Sequence, residues 1–312
     1  MRTGDFSMGV IVDMRQFLQN LKSNNINITY CKKFQTFAQK GQSCKLVAGA
    51  LVQNYLYKTD RHSQEPLPLY KNHQHRDSLR KHAKKVIGSQ VGEVYGAAQV
   101  KKIYNNRGYS ADCYRIEDEK TYEQLIVNCV SQQQPVIMFF DVVNEQGSEQ
   151  FGLPVLLNGA YEHAAAIIGY YYDAENQMQL LYSQWGKYFT ASLHEAFLST
   201  QQLPRDKQPE KFYKIPSLTT TSTSVTALKP KAKWENPEQS DTAKQLLSSG
   251  LATLWQSSPK FYRVSSPPHG LEGSLAGVLC VMRGDKQKIL GLDAYEEYNC
   301  AKEKPAMVNK LK

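Results

Sequence analysis

One stretch decides how this chain can fold: Gly41-Gln42-Ser43-Cys44, with apolar residues after it at Leu46, Val47, Ala50 and Leu51. Apolar residues at this spacing share one face of a helix, so we expect a helix that begins at Cys44. Ser43 is the candidate N-cap. The dipole of a helix stabilises a thiolate at its N-terminus, which favours a reactive cysteine. A buried packing cysteine is the alternative, and this stretch alone does not decide between them.

His163 opens the second informative stretch, a predicted strand at 163–172. A further strand is expected at 178–183, and Asp173-Ala174-Glu175-Asn176 between them suits a turn, so the two form an antiparallel hairpin. A histidine at the start of a buried strand can point from the sheet toward the start of a helix, where a base can meet a nucleophile such as Cys44. A structural histidine is the alternative reading.

The remaining periodic segments set the fold class. Helical spacing is found at 8–22, 79–87, 92–105 and 122–130, and a strand-like apolar run lies at 136–140. Helices therefore come mostly first and strands follow, which is the order of an α+β fold. We predict an N-terminal helical part packed on an antiparallel β-sheet, with a C-terminal extension.

The domain organisation is predicted from changes in composition. The expected division is a first domain at 1–216, a Ser/Thr-rich linker or loop at 217–230, and a small C-terminal module or extension at 231–312. The last part contains a helix candidate at 239–255 and the apolar run Leu275–Met282, which is best explained as a buried strand.

Length, charge and hydropathy exclude several classes of protein. The chain has 312 residues, of which 41% are hydrophobic, so general disorder is excluded. No segment has the roughly 20 apolar residues of a membrane span. The apolar stretch at 9–12 is too short for a signal peptide and ends at Asp13, so we expect a cytoplasmic protein, or one secreted into a host cell without a cleavable signal.

The net charge of +9 is spread along the chain, with a dense stretch at Arg76–Lys85. A solvated basic helix face is the simple explanation, and contact with an anionic surface or acidic partner is the alternative. No nucleic-acid partner is expected.

The cysteines and histidines indicate neither zinc nor another cofactor. The six cysteines form no CxxC pair, so reduced thiols are expected. His73-Gln74-His75 lacks a third ligand at a suitable spacing, so no metal site is expected there. Core packing or incidental roles are expected for the other cysteines: Cys31, Cys113, Cys129, Cys280 and Cys300.

Three blocks of sequence resemble a known family. Residues 39–48, Gln39-Lys40-Gly41-Gln42-Ser43-Cys44-Lys45-Leu46-Val47-Ala48, are similar to the nucleophile motif of the actin maturation protease family and the wider bacteriocin-processing-like group of papain-fold peptidases. The second block runs from Pro135-Val136-Ile137 to His163 and the Ala-Ile-Ile-Gly-Tyr after it. The third contains Gln184-Trp185-Gly186-Lys187-Tyr188 and ends at Leu203. The resemblance covers residues 35–205.

This resemblance implies a cysteine peptidase of papain-like fold. Cys44 would attack the carbonyl carbon of an amide bond and His163 would protonate the leaving amine. Gln39 would donate to the oxyanion together with the backbone N–H of Cys44, and such a donor contributes about 2.7–4 kcal/mol. Gln35 and Gln42 remain alternatives for that donor.

Two departures from the family pattern leave alternatives open. Lys45 follows the cysteine where many relatives have glycine, and it could narrow the cleft or place positive charge near the thiolate. The residue that orients His163 is also undecided: Ser183 and Gln184 lie on the next strand, and Asp141 is the nearby acidic alternative. A catalytically inactive, protein-binding scaffold is therefore the second hypothesis.

The expected partner is a protein substrate. A host protein is one candidate, since the composition would suit a bacterial effector. The related reactions of a deamidase, transglutaminase or deubiquitinase are alternatives to peptide cleavage, because they use a cysteine thiol in the same way. The substrate itself is not identifiable from the sequence.

Overall fold

A computed structural model describes residues 9–39, 43–70, 77–88, 94, 96–143, 148–203, 211–218, 228–235, 263–265 and 274–298. The helices are α1 (Met14–Ser23), α2 (Cys44–Lys58), α3 (Leu79–Ile87), α4 (Ala97–Asn105), α5 (Glu119–Ser131) and α6 (Leu193–Gln201), with a 3₁₀ turn at Leu292–Ala294. The strands are β1 (Gly9–Ile11), β2 (Ile28–Tyr30), β3 (Ser110–Arg115), β4 (Val136–Val142), β5 (Pro154–Val155), β6 (Glu162–Tyr172), β7 (Met178–Gln184), β8 (Lys187–Ser192), β9 (Lys211–Leu218), β10 (Leu228–Glu235), β11 (Arg263–Ser265) and β12 (Val278–Arg283).

Nine of these strands form one sheet in the order β1-β8-β7-β6-β4-β12-β3, with β2 paired to β6 and β5 paired to β4. The pairings of its strands are antiparallel. A second sheet has the order β10-β9-β11. The predicted α+β class is confirmed, and so are the hairpin of β6 and β7 and the helix that begins at Cys44.

Helices cover both faces of the large sheet. Helix α2 packs on β6 and its neighbours, and it shares one core cluster with Ile137, Phe139, Ala164 and Ala166. The alternate residues of the same strands face a second cluster, which contains side chains of α5 and α6. Successive residues of a strand point to opposite faces, so burial on both faces explains the continuous apolar runs of β4 and β6. We call these the α2 face and the α5–α6 face.

Strand β12 lies inside the large sheet, between β4 and β3. The apolar run Leu275–Met282 thus contributes a buried strand, as predicted. Because β12 is hydrogen-bonded on both sides to strands of the large sheet, this part of 231–312 belongs to that sheet and not to a separate module. The boundaries of the predicted division remain predictions. The helix candidate at 239–255 and residues 219–227 of the predicted linker lie outside the described residues, whereas the ends of that linker belong to β9 and β10.

The start of α2 is held in place by Tyr104 of α4. Its hydroxyl donates to the backbone carbonyl of Lys45 at 3.3 Å and occupies the space beside Gly49, where an added Cβ would lie 1.8 Å from that oxygen. Glycine inside a helix costs roughly 0.5–1 kcal/mol relative to alanine. Here it allows Tyr104 to reach the first turn, where Cys44 lies. None of the described helices combines the length and apolarity that crossing a bilayer requires.

Candidate active site

Cys44 is the first residue of α2 and its side chain is almost buried, at 7% exposure. Ser43 occupies the N-cap position as expected, but its hydroxyl makes no capping bond to the helix. Instead it shares a 2.7 Å hydrogen bond with the hydroxyl of Tyr70. The residue before Cys44 is thus fixed by the loop that follows α2, while the helix dipole still acts at the cysteine.

His163 is the second residue of β6 and lies opposite Phe140 of β4. Its imidazole packs against Trp185 with the ring centroids 4.8 Å apart, and against the edge of Phe140 at 5.9 Å. Burial lowers the pKa of His163 to about 3, and the positive charge of Lys45 adds to this effect. The imidazole is therefore neutral at pH 7, and its Nε2 atom has no hydrogen-bond partner within the described part of the chain.

A buried ion pair joins the two elements that carry Cys44 and His163. The Nζ atom of Lys45 lies 2.7 Å from Oε1 of Glu162, and both side chains are about 5% exposed. Lys45 follows Cys44 directly and Glu162 precedes His163 directly, so the first turn of α2 lies beside the first residues of β6. The Lys45 side chain therefore places positive charge near both candidate residues, which was one of the two expectations for it. The sequence reasoning did not assign its partner, Glu162.

The turn between β7 and β8 positions Trp185 against His163. Trp185 and Gly186 have φ angles of 49° and 77°, the left-handed conformation that two-residue hairpin turns require. Trp185 tolerates this conformation because its ring is fixed by packing, with Phe151 stacked on it at 5.0 Å. Sequence reasoning placed this dipeptide in a family-like block but gave Trp185 no role; an aromatic residue in a tight turn after a strand was the available signal.

The segment that leads to Cys44 is attached to the same hairpin. Ser183 donates to the hydroxyl of Thr36 at 2.7 Å, and the Tyr188 hydroxyl donates to the carbonyl of Phe34 at 3.1 Å. Gly186 packs on the backbone of Ala38, where an added Cβ would lie 3.1 Å from the Ala38 nitrogen. Gln39, the predicted oxyanion donor, directly follows Ala38, so these contacts place it near the turn that carries Trp185.

The alternatives to Gln39 are placed differently. The amide oxygen of Gln35 accepts from the ammonium of Lys58, the last residue of α2. With a rise of about 1.5 Å per residue, that end of the helix is roughly 20 Å from Cys44, so Gln35 is not suited to an oxyanion contact. Gln42 lies outside the described residues.

Ser183 and Gln184, the candidates to orient His163, lie on opposite faces of the sheet. Ser183 is opposite Ala166 on the α2 face, where its hydroxyl bonds Thr36, so it does not contact His163. Gln184 follows it and points to the α5–α6 face, which His163 also faces through its pairing with Phe140. The Gln184 amide nitrogen donates to the carbonyl of Gly152 at 2.7 Å, and its buried amide oxygen has no partner within the described ranges.

Asp141 organises the loop before His163. Its carboxylate accepts from the backbone N–H groups of Gly159 at 2.6 Å and Tyr161 at 3.0 Å, and from the amide of Gln202 at 2.9 Å. Burial raises the pKa of Asp141, while the backbone donors oppose that shift. Both oxygens of Asp141 therefore accept from donors in or beside the loop that precedes His163.

The other predicted sites are placed as follows. Cys31, Cys113, Cys129 and Cys280 are buried, and Cys300 and His73-Gln74-His75 lie outside the described residues. Within the described ranges no group of three or more His, Cys, Asp or Glu side chains is arranged to hold a metal ion.

No protein-family model matches the chain, and no curated protein matches it in sequence. Among solved structures it is similar to "Recombinant stem bromelain precursor", with 14% identity and a TM-score of 0.34 over 61% of this chain and 70% of that chain. A likeness at this TM-score carries no inference about fold or function.

The lowered pKa of His163 predicts how stability depends on pH. Between pH 6.5 and about 3 the unfolded histidine binds a proton that the folded one does not, so the free energy of unfolding falls as the pH falls through this window and is unaffected above it. From pH 7.5 to pH 5 the loss attributable to His163 is about 2 kcal/mol.

Urea unfolding of the natural protein and of His163→Gln at both pH values measures this difference. Burial also lowers the pKa of His62 and His82, and these residues remain in both proteins, so their contribution cancels. Equal losses in the two proteins would show that His163 does not titrate as described.

Proposed function

We propose that this chain is a papain-like cysteine hydrolase that cleaves an amide bond of a protein substrate, with Cys44 as nucleophile and His163 as acid and base. One observation carries the proposal: the Lys45–Glu162 ion pair holds the helix start that carries Cys44 beside the strand start that carries His163. Helix dipole, ammonium and imidazole are the three features that activate a cysteine thiol.

The low pKa of His163 indicates how the reaction would begin. Because the imidazole is neutral in the free protein, it takes the proton of Cys44 as the sulfur attacks the carbonyl carbon. The C=O electron pair moves to the oxygen, which Gln39 and the Cys44 N–H stabilise. When the C–N bond breaks, His163 returns the proton to the amine nitrogen. Water, deprotonated by His163, then attacks the thioester carbon and the Cys44 sulfur leaves.

We assign Gln184, rather than Ser183, as the positioning residue for His163. Continuing the register of β6 and β7 makes Gln184 a diagonal neighbour of His163 on the same face, within reach of a long side chain. The buried amide oxygen of Gln184 and the buried Nε2 of His163 are both without partners in the described part of the chain. An amide oxygen accepts from an imidazole N–H, so a small shift of either side chain would satisfy both groups.

This assignment predicts a difference between two neighbouring substitutions. Gln184→Ala should lower kcat by about 10-fold or more with little change in KM, because the imidazole loses its orienting acceptor. Ser183→Ala should change kcat less, since Ser183 bonds Thr36. Steady-state kinetics across pH 5–9 test this, and Gln184→Glu, which keeps the acceptor, should restore part of the rate. An equal effect of the two alanine variants would rule out a specific role for Gln184.

Selective alkylation tests the function itself without a known substrate. Iodoacetamide at pH 7 should modify Cys44 at least about 10-fold faster than any other described cysteine, because this thiol lies at a helix start, next to Lys45, whose ion pair with Glu162 holds it near the strand start that carries His163. Peptide mapping locates the label. His163→Ala should slow labelling of Cys44, and Cys129→Ala is the matched control. Labelling of Cys44 at the rate of an ordinary thiol, unchanged in His163→Ala, would reject the peptidase.

Two observations favour the second candidate, a protein-binding scaffold without catalysis. His163 lies on the sheet face opposite to α2, and its Nε2 has no partner among the described residues. Such a scaffold would show ordinary alkylation of Cys44, and Cys44→Ala would leave its cellular effect unchanged. Delivery into a host cell, with a host protein as the target, would suit either function and remains a proposal from composition.

A further inference from the structure

Two cysteines face each other across strands β3 and β12. Cys113 is the direct partner of Cys280 in this antiparallel pair, and both side chains are fully buried. Both belong to the core cluster on the α2 face, so they point to the same side of the sheet. Directly opposite residues of antiparallel strands have Cα atoms about 4.5–5.5 Å apart, and a disulfide requires about 4.4–6.8 Å. The backbone is therefore already placed for a crosslink.

The two thiols are also neighbours on that face. The Cys280 thiol and burial together raise the pKa of Cys113 well above its ordinary value. Cys113 Sγ also donates to the backbone carbonyl of Ala97 at 3.8 Å. Side chains at directly opposite positions on one face of a sheet need only small rotations to bring one sulfur onto the other.

We propose that Cys113 and Cys280 are a modification site at which a low-molecular-weight disulfide oxidises the chain to an internal disulfide. The thiolate of one cysteine attacks a sulfur of the small disulfide, breaks its S–S bond and releases one small thiol. The second cysteine attacks the resulting mixed disulfide and releases the other. The two protons lost by the protein end on the two released thiols, and the oxidant takes up two electrons.

Burial of both thiols determines when this reaction can occur. Thiolates are the attacking species, and buried, protonated thiols react slowly, so oxidation takes place during folding or a local opening of β12. The crosslink would then hold β12 between β3 and β4. More than half of the chain lies between the two cysteines, and a crosslink that closes a long loop restricts the unfolded state most strongly.

Peptide mapping after oxidation tests the proposal. The full chain carrying Cys44→Ala, which removes the candidate reactive thiol, is incubated with oxidised glutathione in urea low enough to permit only transient opening. Free thiols are then blocked with iodoacetamide, and the protein is digested with trypsin without reductant. The expected product joins residues 108–115 to residues 264–283 and is lighter than the two peptides by two hydrogen masses. The crosslinked protein should unfold about 5 °C higher, and reductant should reverse this shift.

Other buried cysteines provide the control. Cys31 and Cys129 are equally buried but occupy no paired strand positions, so they should remain thiols, and Cys129→Ala should keep both the linked peptide and the shift. Cys280→Ala should lose both. Recovery of Cys113 and Cys280 as separately alkylated peptides, or crosslinks distributed equally over all the buried cysteines, would overturn the proposal. Peptide mapping of the Cys44→Ala chain distinguishes these outcomes even if Cys280→Ala fails to fold.

Discussion

Replacement of Cys44 by alanine is expected to lower kcat/KM for hydrolysis of peptide amides by at least about 10³-fold, since no other described thiol lies beside the start of β6. The substitution removes one sulfur atom from the first turn of α2 and leaves the ion pair of Lys45 and Glu162 in place, so the fold should persist. Release of a fluorophore from a mixed library of peptide amides measures the rate, and circular dichroism checks the fold.

His163→Ala should reduce the rate to a similar extent, and the double variant should be no slower than either single one, because the two residues act as a unit. Cys129→Ala, which removes a buried thiol on helix α5, is the matched control and should retain activity. A folded Cys44→Ala protein that hydrolyses peptides at the natural rate would end the peptidase proposal.

Breaking the Lys45–Glu162 ion pair is expected to have the largest effect on stability. Lys45→Met leaves the carboxylate of Glu162 buried without its cation, and Glu162→Gln leaves the ammonium without its anion. Removal of one partner of a buried pair costs about 3–5 kcal/mol. Replacement of both by methionine should cost much less, because no uncompensated charge then remains in the core.

Urea unfolding of the two single variants and the double variant measures the coupling between these residues. The exposed pair of Lys286 and Asp60, whose ammonium and carboxylate lie 2.6 Å apart, is the matched control, and Lys286→Met should leave the unfolding midpoint nearly unchanged. Costs that simply add in the double variant would show that the two side chains do not act as a pair. The site would then lack the contact that joins its two halves.

Much of the fold was predictable because local patterns specify it. The spacing after Cys44 predicted α2, and the alternation of apolar segments and turn residues predicted β4, β6 and β7. The position of β12, Val278–Arg283, was not predictable, since the apolar run Leu275–Met282 specifies a strand but not its neighbours. Its place between β3 and β4 depends on hydrogen bonds to residues far away in the chain.

The candidate site was likewise predictable from the sequence only in part. The sequence alone determined that a cysteine begins a helix, that a histidine lies near the start of a buried strand, and that a lysine follows the cysteine. Only the tertiary structure decided what these groups meet: Lys45 pairs with Glu162, Trp185 packs on His163, and Asp141 is committed to the loop. The tertiary structure also decided that Ser183 lies on the α2 face and Gln184 on the α5–α6 face. Neighbouring residues of a strand always point to opposite faces, but only the packing of the helices decides which face lies toward α2.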